Sequence, residues 1–176
     1  ARLLNELLGM ARASVATFTP TDLELVVEQV VRLLQVSARK KEVALERRGD
    51  PLPIGAADAS RLKQALVNLV LNAIQASPAG AIVSVETRVI ADAEAPTVEI
   101  VVRDQGPGIP ADAREKVFHP FFTTKDNGTG LGLPVTRQIV ADHGGAIEVG
   151  TAPDGGATFV VRLPLVLAAP ERRDQA

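Results

Sequence analysis

Val98-Glu99-Ile100-Val101-Val102-Arg103-Asp104-Gln105-Gly106-Pro107-Gly108 is the stretch on which the fold turns. Val98, Ile100 and Val102 alternate with polar or less constrained positions, the period-two pattern of a strand with one buried face. Two other segments repeat it: Val83, Val85, Thr87 and Val89, then Ala157, Phe159, Val161 and Leu163, with Ile147 and Val149 as a shorter fourth strand. Alternation, in place of continuous apolar runs, means that each strand wets its other face. The fold class is therefore α+β: a two-layer α/β sandwich, a mixed sheet with helices on one face.

The helices lie outward from that stretch. Asp58 caps a long helix running to about Ser77. Thr21-Asp22-Leu23-Glu24 has the form of a capping box and opens another, with the stripe Leu23, Val27, Val30, Val31 and Leu34. Val43 to Glu46 reads as a short strand, and Gly49-Asp50-Pro51 with Pro53 as a turn. Between Gln105 and Gly130 only Asp112 to Phe118 looks helical, and so long a stretch of irregular chain marks a functional loop or lid. Leu3, Leu4, Leu7, Leu8 and Ala11 give residues 1–13 the seam of an N-terminal helical stub that packs on another helix. The expected organisation is a stub over 1–13, a linker over 14–20, one domain over 21–166 and a flexible tail over 167–176. The chain opens on Ala inside that seam, so it is expected to be a piece of something longer.

Composition narrows the function. The chain has 176 residues, a formal net charge of −2 and no cysteine. One well-buried domain fits that length. No broad basic field is available for nucleic acid or an anionic membrane surface, so any phosphate binding must be local. Disulfides and thiolate metal sites are excluded, which accords with a cytoplasmic location. No apolar run approaches the roughly 20 residues of a membrane helix.

Three constellations carry chemistry. Gln64, Asn68, Asn72 and Gln75 share one stripe of the helix after Asp58, away from the apolar stripe of Leu62, Leu66, Leu69 and Ala73. Asparagine is a poor helix former and a solvated face favours Lys and Glu pairs, so these amides have another use. Their carbonyls suit Mg²⁺ and their NH₂ groups suit phosphate oxygens, while capping of neighbouring loops is the plainer use. Asp104 keeps the parity of Val98, Ile100 and Val102, which turns its carboxylate inward, where it needs a partner. An adenine amino group would serve and would select ATP over GTP; backbone N–H groups of the following turn would serve as well. Finally Gly128-Thr129-Gly130-Leu131-Gly132-Leu133 runs straight into a helix ending near His143, the arrangement of an anion site at a helix N-terminus. No Walker lysine follows those glycines. Gly106-Pro107-Gly108-Ile109-Pro110-Ala111, with Asp126 beyond, matches a loose dinucleotide pattern but lacks the βαβ units that pattern needs.

Taken together, these segments resemble the GHKL (Bergerat-fold) ATPases, and among them the sensor histidine kinases of the nitrogen-regulation type. RLKQALVNLVLNAIQAS (61–77) resembles the N box, DQGPGI (104–109) the G1 box, VFHPFFTTK (117–125) the F box and GTGLGL (128–133) the G2 box. Gly155-Gly156-Ala157-Thr158-Phe159 is similar to the last glycine motif before the closing strand. The resemblance implies ATP and Mg²⁺ as cofactors. It implies that Asn68 holds Mg²⁺, that Asn72 and Lys125 contact phosphates, that Asp104 binds the adenine amine, and that Thr158 supports an adenine-bound water. Gly106, Gly108, Ile109, Thr124, Gly128, Thr129, Gly130, Leu131, Gly132 and Leu133 would shape the pocket and its lid.

The reaction so implied is transfer of the γ-phosphoryl group of ATP to a histidine, with Asn68 and Lys125 as the catalytic residues. That histidine would lie on a dimerisation domain docked against Phe118, Phe121 and Phe122, in a homodimer serving a response regulator receiver domain. Nucleic acid and membrane are not expected partners of this segment. Neither histidine present fits the acceptor: His119 falls in the F box, and His143 suits the electrostatics of a helix end. The chain alone is thus not expected to phosphorylate itself. The alternatives are an ATP-driven clamp of the same superfamily, which would carry a glutamate base four residues before the N-box asparagine where this chain has Gln64, and a nucleotide-binding module without kinase activity.

Overall fold

The computed structural model describes residues 16–91, 96–125, 128–152 and 155–166. The expected stub over 1–13, the tail over 167–176 and Asp126 lie outside the described residues. Among the described residues, seven strands and three α-helices follow one another as β1 (Thr19–Asp22), α1 (Leu23–Lys40), β2 (Ala44–Gly49), β3 (Ile54–Ala57), α2 (Ala59–Ala76), β4 (Ile82–Ile90), β5 (Thr97–Arg103), α3 (Gly132–Asp142), β6 (Ala146–Thr151) and β7 (Ala157–Pro164). No described helix is long and apolar enough to cross a membrane.

β2, β4, β5, β7 and β6 form one sheet in that order. β2 runs parallel to β4 and every other pair is antiparallel, so the expected mixed sheet is present. The register sets Val85 opposite Val102 and Val102 opposite Phe159, which builds one continuous apolar face. Against it pack Val27, Val30 and Leu34 of α1 and Leu62, Leu66, Leu69 and Ile74 of α2, all buried. Each such side chain contributes roughly 1.5–3 kcal/mol on leaving water. Truncating Leu69, 0% exposed, to alanine would cost about 2–5 kcal/mol.

The opposite face meets no helix among the described residues and is laced with charge. Glu99, 1% exposed, accepts from Arg88 Nε at 2.7 Å and from Arg162 Nε at 2.9 Å. Both arginines are its cross-strand partners in register. Arg162 also donates to Glu148 and Arg103 to Glu86. A carboxylate this deep is tolerable because two guanidinium groups satisfy it.

Several expectations need correction. Thr19–Asp22 is a strand, paired with Ile54–Ala57, so residues 19 and 20 of the expected linker lie in extended, paired chain, while the expected turn is present between β2 and β3 with Pro51 and Pro53 inside it. Asp22, not Thr21, caps α1 by accepting from Leu25 N–H at 3.0 Å. Thr21 Oγ1 instead donates to Ala57 O, and Glu24 accepts from Arg47 and from the Leu52 N–H, so no capping box forms. The strand expected over Val43 to Glu46 spans Ala44–Gly49. The helix expected over Asp112 to Phe118 is two short 3-10 turns, Ala111–Ala113 and Lys116–Phe118.

α2 and α3 are fastened at the end remote from the lid. Asp58 caps α2 by accepting from Arg61 N–H at 3.1 Å, and it also accepts from Thr17 N–H. The Asp58 N–H points at Nε2 of His143, 3.1 Å away. Nε2 must therefore accept, so the proton sits on Nδ1, which donates to Ile139 O at 2.7 Å. His143 thus sits at the end of α3, as the sequence suggested, with both ring nitrogens engaged.

Candidate functional site

One large cavity, about 480 Å³, opens between α2, the end of β5, the lid and the start of α3. The amide stripe of α2 supplies Asn68, Asn72 and Gln75 to its wall, while the fourth amide, Gln64, is exposed and does not line it. Leu71 and Ala76 add apolar surface beside the amides, and Val117, Phe122 and Phe159 close the other side. A mostly apolar cleft with a few convergent polar groups is the form of a small-molecule site.

Asp104 lies at the end of β5, 4% exposed, and lines the cavity. Its Oδ1 accepts from Gly106 N–H at 2.9 Å and Ala157 N–H at 3.0 Å. Both uses foreseen for this carboxylate are thus compatible. The turn takes Oδ1, and Oδ2 carries no hydrogen bond among the described residues. Gly156 makes the close packing possible: at φ +76°, a Cβ there would stand 2.1 Å from Asp104 O.

α3 enters the cavity with its N-terminus. Leu131 occupies the cap position with no side-chain capping bond, and Gly132 and Leu133 line the cavity. The unpaired N–H groups of that first turn therefore face the space where an anion would sit. Gly132 O accepts from Asn68 Nδ2 at 3.2 Å and from Thr136 Oγ1 at 2.9 Å, which ties α3 to the amide stripe. From the lid, Lys125 Nζ donates to Asn72 Oδ1 at 3.0 Å and Gln75 Oε1 at 2.8 Å.

Asn68, Asn72, Asp104, Gly108, Ile109, Thr124, Lys125, Gly128, Thr129, Gly130, Gly132 and Leu133 all line this one cavity. Three expected residues do not. Gly106 packs on the end of α2, where a Cβ would come 2.7 Å from Ala76 O. Leu131 is buried at 1% exposure, with its N–H donated to Thr129 Oγ1 and its carbonyl accepting from Val135 N–H. Thr158 pairs with Arg103 in register, on the face of β7 opposite to Ala157 and Phe159. Its hydroxyl points away from the cavity and cannot support a water there. Ala157 takes the place beside Asp104 instead. The alternation of β7 already carried that parity.

The phenylalanine cluster also divides. Phe118 is buried, edge-on to Phe159 with ring centroids 6.5 Å apart and the Arg137 guanidinium 5.3 Å over its ring. Phe122 faces the cavity. Only Phe121 is presented outward, 68% exposed at φ +68°, with its N–H donated to Gly130 O. Of the three rings expected to dock, only Phe121 is thus available on the surface. Gln75, left out of the expected site, is the residue that sequence reasoning could have added, since it lies on the stripe of Asn68 and Asn72.

Comparison with known proteins decides the family, because the model of the histidine kinase-, DNA gyrase B-, and HSP90-like ATPases matches residues 57–167. The chain belongs to that ATPase family. It is 39% identical over 165 residues to the sensor histidine kinase ZraS of Escherichia coli (strain K12), covering 93% of this chain and 35% of that protein. The chain thus spans about a third of the length of the curated relatives it matches. Full-length ShkA, solved in complex with AMPPNP, superposes with a TM-score of 0.84 at 34% identity over 96% of this chain and 36% of that one. The catalytic domain of histidine kinase ThkA superposes at 0.76 with 33% identity, over 85% of this chain and 96% of that one. ThkA in complex with the response regulator TrrA gives 0.78 at 31% identity, over 98% and 48%. The ATPase family and the α+β sandwich expected from the boxes are both present.

Proposed function

We propose that this domain binds MgATP in the cavity and donates its γ-phosphoryl group to a histidine on a dimerisation domain, as the catalytic part of a sensor histidine kinase. The observation that carries the reading is the convergence of Asp104, the α2 amides and the uncapped start of α3 on one cleft. Asp104 Oδ2 can accept from an adenine amine and would repel guanine's oxygen. The N–H groups of the first turn of α3 suit phosphate, and Lys125 adds the one ammonium among the described lining residues.

The donor set also fits a magnesium ion. No group of three or more His, Cys, Asp or Glu that could hold a metal exists among the described residues, so the ion would rely on phosphate oxygens and a neutral ligand. Asn68 offers one, since its NH₂ is held by Gly132 O while Oδ1 has no hydrogen bond among the described residues. When bound, Mg²⁺ would offset charge on the transferring phosphoryl group. Asn68, Asn72, Lys125 and the α3 backbone hold and orient the phosphates around it.

Phosphotransfer is favoured over hydrolysis by the lining itself. Asp104 is the only carboxylate among the described lining residues, and it is bound to two backbone N–H groups. Gln64, which stands where a clamp would carry its base, is exposed and outside the cavity. The acceptor domain would dock on Phe121, the full protein would work as a homodimer in the cytoplasm, and a response regulator receiver would take the phosphoryl group onward, as the ThkA complex with TrrA illustrates for a relative. The test is to supply a histidine-bearing dimerisation domain in trans with γ-labelled ATP. Acid-labile label on that domain and none on this chain is expected; stable label on this chain alone would overturn the proposal.

A further inference from the structure

Thr136 is an unexpected residue at its position. It is 0% exposed, in the interior of α3. Threonine is a mediocre helix former, and a buried hydroxyl is unfavourable unless bonded. Valine would fill the same space without a polar atom. The hydroxyl is bonded, to Gly132 O one turn back at 2.9 Å. Hydroxyls that bond back in this way draw a helical carbonyl off the axis.

That carbonyl is the one holding Asn68, whose Nδ2 donates to it at 3.2 Å. α2 and α3 pack together, so the buried hydroxyl and the amide reach Gly132 O from between the two helices. A primary amide has two ends of nearly equal size, and only its partners decide which one faces where. With Gly132 O occupied by the NH₂ end, Oδ1 is left for the cavity. The opposite orientation would set two acceptors against each other.

From this we infer that Thr136 is a positioning residue, whose hydroxyl sets Gly132 O so that Asn68 presents oxygen, and not nitrogen, to a divalent cation beside the phosphates. The inference rests on the reading of Asn68 as the magnesium ligand. Outer partners of a metal ligand typically matter about 10- to 100-fold for metal affinity. Loss of this one hydroxyl should act at the lower end, because Asn68 keeps its direct bond.

The experiment measures ATP affinity by competition with a fluorescent nucleotide, once with saturating Mg²⁺ and once with a chelator, for Thr136→Val, Thr136→Ser and Asn68→Ala. Thr136→Val should lose about tenfold of the affinity that Mg²⁺ adds, with chelated affinity unchanged. Its Tm should stay within about 3 °C. Thr136→Ser, which keeps the hydroxyl, should restore the magnesium gain. If Val does not fold, Thr136→Ala removes the hydroxyl without the second methyl and is read in the same way. A full magnesium gain in Thr136→Val, while Asn68→Ala abolishes it, would overturn the role of Thr136 and leave Asn68 standing. An intact gain in Asn68→Ala would overturn the magnesium reading and this inference with it.

Discussion

Lys125 reaches from the lid to α2, where its Nζ stands 2.8 Å from Oε1 of Gln75. The lid cation is thereby parked against the amide stripe, at the edge of the space assigned to phosphate. Lys125→Met should weaken ATP more than ADP, narrowing the preference between them by about tenfold or more, since charged hydrogen bonds contribute about 1.5–3 kcal/mol. Competitive titration of both nucleotides checks this, and an unchanged preference would remove Lys125 from the phosphate site.

Asp104 separates binding from folding when two replacements are compared. Asp104→Asn keeps an oxygen for the Gly106 and Ala157 N–H groups but no longer offers a second acceptor to adenine. It should lower ATP affinity by about tenfold or more and move Tm little. Asp104→Ala strands the buried Ala157 N–H and the half-buried Gly106 N–H, and should also cost roughly 2 kcal/mol of stability. Equal Tm values for the two variants would contradict the hydrogen-bond arrangement.

At Gly130 the lid leaves no room for a side chain. Its φ is +67°, and a Cβ would fall 2.4 Å from the carbonyl carbon of Phe121. Gly130→Ala should displace the lid at Phe121 and weaken nucleotide roughly tenfold, while the melting of the core stays within about 3 °C. Chemical shifts of the lid and thermal melting give the two readouts.

Acid should loosen the joint between α2 and α3. Burial alone would raise the Asp58 carboxyl, but the Arg61 and Thr17 N–H groups and the Arg61 charge hold it below the ordinary aspartate range. For Asp142, burial is likewise outweighed, by Gln138 and Arg61. Both groups bind protons less readily in the folded chain. Their stabilisation is therefore present above the unfolded carboxylate pKa and drains away as pH falls through the folded values, below about pH 4. Tm should fall in that range, and Asp58→Asn, which keeps a capping oxygen, should fall less steeply.

Much of this was legible before any coordinates. α2 could be read because its cap at Asp58, its apolar stripe and its amide stripe all obey one local period. The alternating strands and the lid followed from the same kind of evidence. What escaped depends on distant chain. Thr19–Asp22 becomes a strand only because Ile54–Ala57 lies beside it, and Gly55 lets Leu23 and Leu165 approach closely. Phe118 counts as core only once β7 brings Phe159 to it. Thr158 differs from these, since the alternation of Ala157, Phe159 and Val161 already sets it on the other face of β7, against the motif it resembles.

The charged side of the sheet has a consequence for how copies of this domain behave together. Glu46, Glu86, Glu99 and Glu148 are each answered by an arginine of the same face: Arg48, Arg103, Arg88 and Arg162. Two such faces pressed together would have to dehydrate ions that are already neutralised at home, and would gain little in return. The bare sheet therefore offers poor adhesion, and the domain can be crowded at high local concentration without its sheets sticking to one another.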